Sequence, residues 1–296
     1  MMGEEEAKAR SVAMFREATP LANDAPISEW RAGFEAMAAK LELPEDLVIA
    51  PVVVGHVPCI KVTAPGASTD RLIVHFHSGG YVMGSAHAYR EFAGRLSKAT
   101  GAPVLLPDYR LAPEHPYPAA VDDAMAVYRA LIVDRKPANI ILSGDSAGGG
   151  LCMATLLAIR DQGLPNPAGG IGISPLLDLA GEGDSANIPS DPLINRDLIV
   201  NMGKVYIGEI DPHEPLASPL WGQHGGLPPI YLTASASEAL YDDAVRMARS
   251  IAAAKGTVQL SVVEGYVHIW TFFPFLAASA TILAEIGAFA YARWDS

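Results

Sequence analysis

A serine flanked by glycines is the strongest chemical signal in this sequence. Residues 144–149 read Gly-Asp-Ser-Ala-Gly-Gly, directly after the apolar run Ile140–Leu142 and directly before a helix-forming stretch. Glycines on both sides of Ser146 allow a sharp turn from strand to helix with the serine at its apex. The N-terminus of that helix also aims backbone N–H groups at the same point. The pattern predicts that Ser146 is a nucleophile; a glycine-rich turn that only packs a helix on a strand is the alternative.

A serine hydroxyl needs a base to become nucleophilic, and the base needs an acid to orient it. After a strand–turn–helix serine, the expected chain order is serine, acid, histidine. Five of the eight histidines precede Ser146, while His213 and His224 lie in a loop-rich stretch before the next apolar run. Only His268 follows a late predicted strand, Val258–Val263. The order therefore predicts His268 as the base.

Three carboxylates compete for the role of the acid in the loop after the apolar run Ile230–Leu232. Asp242 and Asp243 open the following helix-forming stretch, where they would serve as N-terminal caps. That role leaves Glu238 without a structural explanation. We predict Glu238 as the acid and keep Asp242 as the alternative.

A second glycine-rich turn, residues 77–81 (His-Ser-Gly-Gly-Tyr), follows the apolar run Leu72–Phe76. Ester hydrolysis passes through a tetrahedral oxyanion, which backbone N–H donors stabilise. Glycines let the backbone approach the reacting centre without an intervening side chain. We assign the oxyanion hole to the N–H groups of Gly79 and Gly80, completed by Ala147.

Metal and cofactor signals are weak in this sequence. His75 and His77 could form a zinc pair, but no further His, Asp or Cys ligand follows at short spacing. There is no GxxxxGK[ST] motif and no GxGxxG after a strand. Two cysteines, Cys59 and Cys152, are too few for a disulfide scaffold. We predict no metal and no cofactor.

The elements that must position these residues form an alternating pattern. Eight short apolar runs predict strands: Val52–Val54, Ile60–Thr63, Leu72–Phe76, Val104–Leu106, Ile140–Leu142, Gly170–Ile173, Ile230–Leu232 and Val258–Val263. Helix-length stretches separate most of them from the third onward: Tyr89–Thr100, Ala119–Val133, Ala147–Asp161, Asp242–Lys255 and, after the last, Phe275–Ala292. This alternation predicts an α/β fold with a mostly parallel central sheet of about eight strands, flanked by helices. The first two runs are too close for a crossover helix and predict an antiparallel hairpin at the sheet edge.

Two regions interrupt the alternation. Residues 1–48 are helix-forming but precede the first predicted strand, and residues 175–226 form a long Pro-, Gly- and Asp-rich insertion with one predicted helix, Asp197–Tyr206. We expect both to form a helical cap over a catalytic domain of residues 49–174 and 227–296. The candidate linings of a substrate pocket beneath the cap, each of which could equally be ordinary core, are Trp30, Phe34, Met83, Leu193 and Trp221.

Composition narrows the class of partner. The 296 residues include 33 acidic and 21 basic side chains, a net charge of −12, which argues against nucleic acid or an anionic membrane surface. Half of the residues are hydrophobic, which supports a sizeable core. The uncharged stretch 269–284 is shorter than a membrane span and contains Pro274, so we expect a buried helix or a dimer face. No secretory signal is recognisable at the N-terminus, which makes the cytoplasm the expected location.

Taken together, these stretches resemble the bacterial hormone-sensitive-lipase-like carboxylesterases of the α/β-hydrolase fold. The resemblance runs from about residue 50 to the C-terminus. The matching stretches are 77–80 (the family's HGGG, with Ser78 at the first glycine), 144–149 (GDSAGG), 108–116 (DYRLAPEHP) and His268 at the base position. The acid loop lacks the common Asp-Pro-Leu, and Glu238 is similar to the relatives whose acid is glutamate.

The resemblance implies a serine carboxylesterase for short- to medium-chain acyl esters, with a helical cap and often a homodimer. It also implies that carboxylates beneath the active-site loops hold Arg110, for which a charged exposed loop is the alternative. A lactone hydrolase, an acetyl-ester hydrolase or an acyltransferase would use the same triad. A peptidase is a further alternative, and the presence of His268 argues against a non-catalytic small-molecule receptor.

Overall fold

The computed structural model describes residues 3–19, 25–188 and 191–294, and within them one eight-stranded sheet has the order β1-β2-β4-β3-β5-β6-β7-β8. The strands are β1 Val48–Val54, β2 Val57–Thr63, β3 Leu72–Phe76, β4 Val104–Pro107, β5 Ile140–Asp145, β6 Gly169–Ile173, β7 Ile230–Ser235 and β8 Val258–Val263. Strands β3 to β8 are mutually parallel, whereas β2 is antiparallel to both of its neighbours, β1 and β4. The predicted mostly parallel sheet and its edge hairpin are therefore confirmed.

Eight α-helices in the described ranges surround the sheet. They are α1 Glu4–Ala18, α2 Ile27–Ala38, α3 Arg90–Thr100, α4 Ala119–Asp134, α5 Ala147–Asp161, α6 Arg196–Ile207, α7 Tyr241–Ala253 and α8 Ala277–Trp294. Helix α7 ends before Lys255, the predicted last residue, whose positive φ of 61° does not continue a helix. None of the helices combines the length and the apolar character needed to cross a bilayer.

Alternating side chains of the central strands enter two cores on opposite faces of the sheet. On β3, Val74 packs into the core beneath α4, α5 and α7, whereas its neighbour Ile73 packs into the core beneath α3 and α8. Leu142 and Ile141 of β5 divide in the same way. Because both faces are covered, these strands read as continuous apolar runs rather than as an alternating pattern. The loops that carry the candidate site residues follow the carboxyl ends of β3, β5, β7 and β8, which this packing holds in place.

Candidate active site

Ser146 lies at the sharp turn between β5 and α5. Its φ is +53°, a left-handed conformation that side-chain-bearing residues rarely adopt, and its N–H donates to the Ile173 carbonyl oxygen at 3.0 Å. A β-carbon on Gly144 would collide with the Gly148 carbonyl, and one on Gly148 would collide with the Phe76 carbonyl. Only glycine at these two positions lets strand, turn and helix approach closely enough to present the serine at the apex.

Ser146, His268 and Glu238, predicted from chain order, lie side by side in the structure. His268 Nε2 is 2.9 Å from Ser146 Oγ, and His268 Nδ1 is 2.8 Å from Glu238 Oε2. The other oxygen, Glu238 Oε1, accepts the Ser235 N–H at 2.9 Å, which fixes the carboxylate on the end of β7. All three side chains are buried. Because a carboxylate only accepts hydrogen bonds, Nδ1 carries the proton and Nε2 is free to accept the serine proton.

Two opposing effects act on the pKa of His268. Burial alone would lower it by disfavouring the charged ring, but the hydrogen bond and negative charge of Glu238 outweigh burial and raise the pKa above its ordinary value. A raised pKa makes the imidazole a stronger base, which is the property that proton abstraction from a serine requires.

The competing carboxylates on α7 point to other partners. Asp242 Oδ2 accepts the Ser185 N–H at 2.8 Å. Asp243 Oδ2 accepts the backbone N–H groups of Leu177 and Asp178 at 2.7 and 3.1 Å. We expected these aspartates to cap their own helix; instead they hold the insertion against α7, because the insertion packs over the first turn of that helix.

The turn after β3 leaves two backbone N–H groups beside Ser146. The Gly79 carbonyl accepts from the N–H groups of Val82 and Met83, both at 3.0 Å, and since a trans peptide directs its C=O and N–H to opposite sides, the Gly80 N–H faces away from that turn. Within the described ranges, the N–H groups of Gly79 and Gly80 have no hydrogen-bond acceptor. Ala147 opens α5, where the first N–H groups of a helix have no partner within it.

A cavity with an empty volume of about 780 Å³, open solvent at its mouth included, lies above these groups. Among the described residues, its lining carries no Asp, Glu, Lys or Arg: Phe15, Ala18, Thr19, Trp30, Phe34, Met37, Ser78, Gly79, Gly80, Met83, Ser146, Leu176, Leu193, Ile194, Leu198, Ile199, Met202, Leu240, His268 and Ile269. Helices α1, α2 and α6 supply eight of these lining residues. The cavity is therefore an apolar chamber with the serine and histidine at one end.

Comparisons with known proteins agree with this geometry. The profile of a family described by its alpha/beta hydrolase fold matches residues 73–272. An acetyl-hydrolase of Streptomyces hygroscopicus is 37% identical over 242 residues, 80% of this chain and 81% of that protein. An esterase of Acinetobacter venetianus is 36% identical over 232 residues, 76% of each protein. The crystal structure of an esterase from the bacterial hormone-sensitive lipase family superposes with a TM-score of 0.95 at 36% identity, covering 99% of this chain and 100% of that one.

The chain belongs to the hormone-sensitive-lipase-like α/β-hydrolases. It is a carboxylic ester hydrolase.

Four of the five predicted pocket residues line the cavity of this esterase, and Trp221 does not. The Trp221 indole N–H donates to Asp178 at 3.2 Å, and its ring packs beside His213 and Arg246 on the outer side of the insertion. The physical reason is that the turn Pro219–Trp221, which follows α6, packs against α5 and α7 instead of over the serine.

The sequence prediction missed the pocket residues of α6. Leu198, Ile199 and Met202 recur on one face of that helix and line the cavity, and the Met202 sulfur occupies the space where a β-carbon on Gly80 would lie. Their helical spacing is a detectable signal, but sequence alone does not reveal which element that face packs against.

Arg110 of the esterase is held by one carboxylate, not several. Its guanidinium donates to both oxygens of buried Asp123 on α4, with Nη2 to Oδ1 at 2.7 Å, and its backbone N–H donates to Oδ2 at 2.9 Å. The neighbouring Tyr109 donates its hydroxyl to the His77 carbonyl at 2.8 Å and stacks on that ring. Arg110 and Tyr109 therefore fix the loop after β4, Arg110 to α4 and Tyr109 to the glycine-rich turn.

The histidines of the zinc alternative have partners of their own. His75 Nδ1 is 3.0 Å from Ser143 Oγ, and His77 Nδ1 donates to the Ser78 carbonyl at 2.8 Å. No group of three or more His, Cys, Asp or Glu side chains in the described part of the chain could hold a metal ion.

Proposed function

We propose that this esterase hydrolyses short- to medium-chain acyl esters with a Ser146–His268–Glu238 triad, through a covalent acyl-enzyme. The observation that supports the proposal most strongly is the continuous hydrogen-bonded series from Ser146 Oγ through both nitrogens of His268 to a fully buried carboxylate. Its serine end faces the cavity, whose lining within the described ranges has no Asp, Glu, Lys or Arg, which suits a neutral ester.

The first half of the reaction forms the acyl-enzyme. His268 Nε2 takes the hydroxyl proton as Ser146 Oγ bonds to the ester carbonyl carbon, and the C=O electron pair moves onto the oxygen. The tetrahedral intermediate then collapses and its C–O bond to the alcohol breaks. The alcohol leaves with the proton from His268.

The second half repeats these steps with water. His268 takes a proton from the water that attacks the acyl carbon, and the Ser146 oxygen leaves with that proton as the carboxylic acid is released. Glu238 keeps the imidazole in the required tautomer and stabilises its protonated form in both halves. No residue outside this series has to change its protonation state.

We propose that the oxyanion formed in each half accepts hydrogen bonds from the N–H groups of Gly79, Gly80 and Ala147. Each such donor contributes about 3–4 kcal/mol of transition-state stabilisation when it acts in a site that excludes water. The burial of Ser146 and His268 supports such exclusion.

Residues 1–48 and 175–226 are proposed to act as the cap, with α1, α2 and α6 as the parts that contact substrate. Trp30, Phe34, Met83 and Leu193 are proposed to bound the acyl or alcohol group. Bulky aromatic and aliphatic side chains line the chamber. The family resemblance implies short-acyl esters, and we expect acyl chains of two to eight carbons.

A p-nitrophenyl ester series from acetate to palmitate tests the proposal, with wild type, Ser146→Ala and His268→Ala side by side. We expect activity to peak at two to eight carbons and kcat to fall by about 10⁴–10⁶ in each variant, because triad members act as a unit. A peak at long chains would overturn the chain-length proposal but not the triad. Near-wild-type turnover by either variant would overturn the triad. Adding an alcohol acceptor and measuring the transfer product separates hydrolysis from acyl transfer.

A further inference from the structure

Ser78 stands where the HGGG motif has its first glycine, and its side chain has a buried partner. Only 2% of the residue is exposed, and its Oγ is 2.6 Å from the Tyr89 hydroxyl oxygen at the start of α3. The same phenol oxygen is 2.5 Å from Asp145 Oδ2. A serine on the glycine-rich turn is thus joined through a tyrosine to the residue that precedes Ser146.

The direction of these hydrogen bonds is set by the protons available. A phenol has one proton, and a carboxylate is the stronger acceptor, so Tyr89 donates to Asp145. Burial and the charge of Asp145 hold the pKa of Tyr89 well above its ordinary value, so the phenol keeps this proton. The remaining bond then requires the Ser78 hydroxyl to donate to the Tyr89 oxygen. The Ser78 hydroxyl therefore donates to the Tyr89 oxygen, and the Tyr89 hydroxyl donates to Asp145.

The backbone of residue 78 is fixed from its other side. The Ser78 carbonyl accepts from His77 Nδ1 at 2.8 Å, and burial lowers the pKa of His77, which keeps the ring neutral. Because the peptide is planar, fixing this carbonyl also fixes the direction of the Gly79 N–H. The side chain and the carbonyl of Ser78 are therefore both held, and the free N–H of the next residue takes its direction from them.

We propose that Ser78 is a positioning residue, whose hydroxyl ties the glycine-rich turn to the Asp145–Ser146 elbow and so sets the distance from the Gly79 N–H to the oxyanion. The inference rests on the proposed function of the Gly79 N–H as an oxyanion donor. It acts through that N–H alone, since the Ser78 hydroxyl is engaged by Tyr89. Glycine at position 78 would remove the tie and free the backbone.

The test measures Ser78→Ala, Ser78→Gly and Tyr89→Phe with p-nitrophenyl butyrate and with phenylboronic acid. The boronic acid bonds to Ser146 Oγ, whose proton passes to His268, and the tetrahedral adduct places an oxygen in the oxyanion position. We expect kcat to fall about tenfold with KM within about twofold, less than the roughly 10²–10³-fold loss from removing an oxyanion donor outright. The inhibition constant for phenylboronic acid should rise by the same factor.

Coupling between the two side chains gives a second readout. Ser78→Ala combined with Tyr89→Phe should cost no more in kcat than the larger single change, because both break one link. If the double variant lost kcat by the product of the two single losses, the proposed link between Ser78 and Tyr89 would be overturned. Should Ser78→Ala fail to fold, Ser78→Gly and Tyr89→Phe carry the test.

Tyr128→Phe is the matched control for losing a buried tyrosine hydroxyl. Tyr128 donates to the Pro165 carbonyl at 2.5 Å, between α4 and the loop after α5. The Tyr128→Phe variant should lower the midpoint of thermal unfolding while leaving kcat and the affinity for phenylboronic acid unchanged. If the Ser78 variants behave in that way, the positioning role is overturned. Full activity of Ser146→Ala would overturn the proposed function itself, a result that Ser78 variants cannot imitate.

Discussion

The backbone at residue 146 is held in an unfavourable conformation by its surroundings. A residue with a β-carbon at φ +53° costs of order 1–3 kcal/mol and persists only where neighbours enforce it. The enforcing contacts are mostly backbone ones, because the Ser146 N–H is bound by Ile173 and the Leu176 N–H binds the Ser146 carbonyl at 2.9 Å. In this conformation Oγ leaves the strand–helix junction and lies within hydrogen-bond distance of His268 Nε2.

Exchanging Glu238 for glutamine separates the two candidate acids. The Glu238 carboxylate accepts two N–H donors, from His268 and Ser235, whereas an amide has one accepting oxygen and would place its NH₂ against one of them. We expect Glu238→Gln to lower kcat by about 10³–10⁴, since the wrong imidazole tautomer is favoured. Asp242→Asn is the matched control and should lose less than about tenfold, because its partner is Ser185. The reverse ranking would assign the acid to Asp242.

The pH dependence of kcat/KM also tests the interaction between Glu238 and His268. Glu238 raises the pKa of His268, so the ring binds its proton more tightly and the active neutral form is lost at a higher pH than for an ordinary histidine. We expect the acidic limb of kcat/KM to lie above about pH 6.5. In Glu238→Gln the main effect that opposes burial is lost, although Asp191 and Asp145 still raise the pKa of His268, and the limb should move to lower pH. A limb that stays in place in this variant would contradict the electrostatic role.

At the scale of elements, Arg31 fixes α2 above the site. Its guanidinium forms a bidentate pair with Glu114 at 2.7 and 2.8 Å and also donates to the carbonyls of Val82 and Ala112. One side chain thus joins α2 to the glycine-rich turn after β3 and to the loop after β4. The same helix lines the cavity with Trp30.

Removing the Arg31 side chain should loosen the proposed cap without altering the arrangement of Ser146, His268 and Glu238. We expect Arg31→Ala to raise KM for p-nitrophenyl butyrate by about three- to tenfold, while kcat changes less, because substrate contacts on α2 become less ordered. Lys40→Ala, just beyond the end of the same helix, is the matched control: its pair with Glu17 is exposed and contributes about 0–1 kcal/mol. Equal KM values for the two variants would contradict the proposal that Arg31 holds α2 in place for substrate binding.

How much the sequence could predict also differs between elements. Strands β3 to β7 were predictable because strands buried on both faces give continuous apolar runs. The grouping of Ser146, His268 and Glu238 was predictable because a serine at a strand-to-helix turn restricts where an acid and a histidine can lie along the chain. The path of residues 175–226 was not, since only tertiary packing decides that α6 turns Met202 toward Gly80 while Trp221 packs on Asp178. The part played by Asp242 in holding Ser185 was hidden for the same reason.

At the scale of the whole molecule, surface charge and exposed apolar positions indicate how the esterase meets other molecules. The net charge of −12 favours neutral or cationic partners over polyanions. Strand β8 forms one edge of the sheet and exposes 45% of Val262, and α8 exposes 42% of Tyr291. The homodimer predicted through the last strand and helix stays a prediction, which size-exclusion chromatography with light scattering tests.

The pair of Arg110 and Asp123 links distant parts of the molecule. Asp123 is buried on α4, receives the Arg110 side chain and backbone, and lies 3.2 Å from His56 in the turn of the edge hairpin. Burial alone would raise the pKa of Asp123, but the hydrogen bonds and charge of Arg110 lower it below its ordinary value. The carboxylate is thus stabilised in its charged form and contributes to folding above the pKa of an unfolded aspartate, about 3.9.

Asp123→Asn should therefore destabilise the fold at neutral pH without touching the triad. An amide cannot accept all of the N–H donors that the carboxylate receives, and the loss should be about 2–3 kcal/mol, or about 5–10 °C in the thermal midpoint at pH 7. The difference from wild type should shrink as pH falls through the lowered pKa, because the native carboxylate is then protonated as well. Asp122→Asn, the exposed neighbour, is the matched control and should shift the midpoint by less than about 2 °C. Equal midpoints for the two variants at pH 7, measured by thermal unfolding, would show that the pair does not hold these elements together.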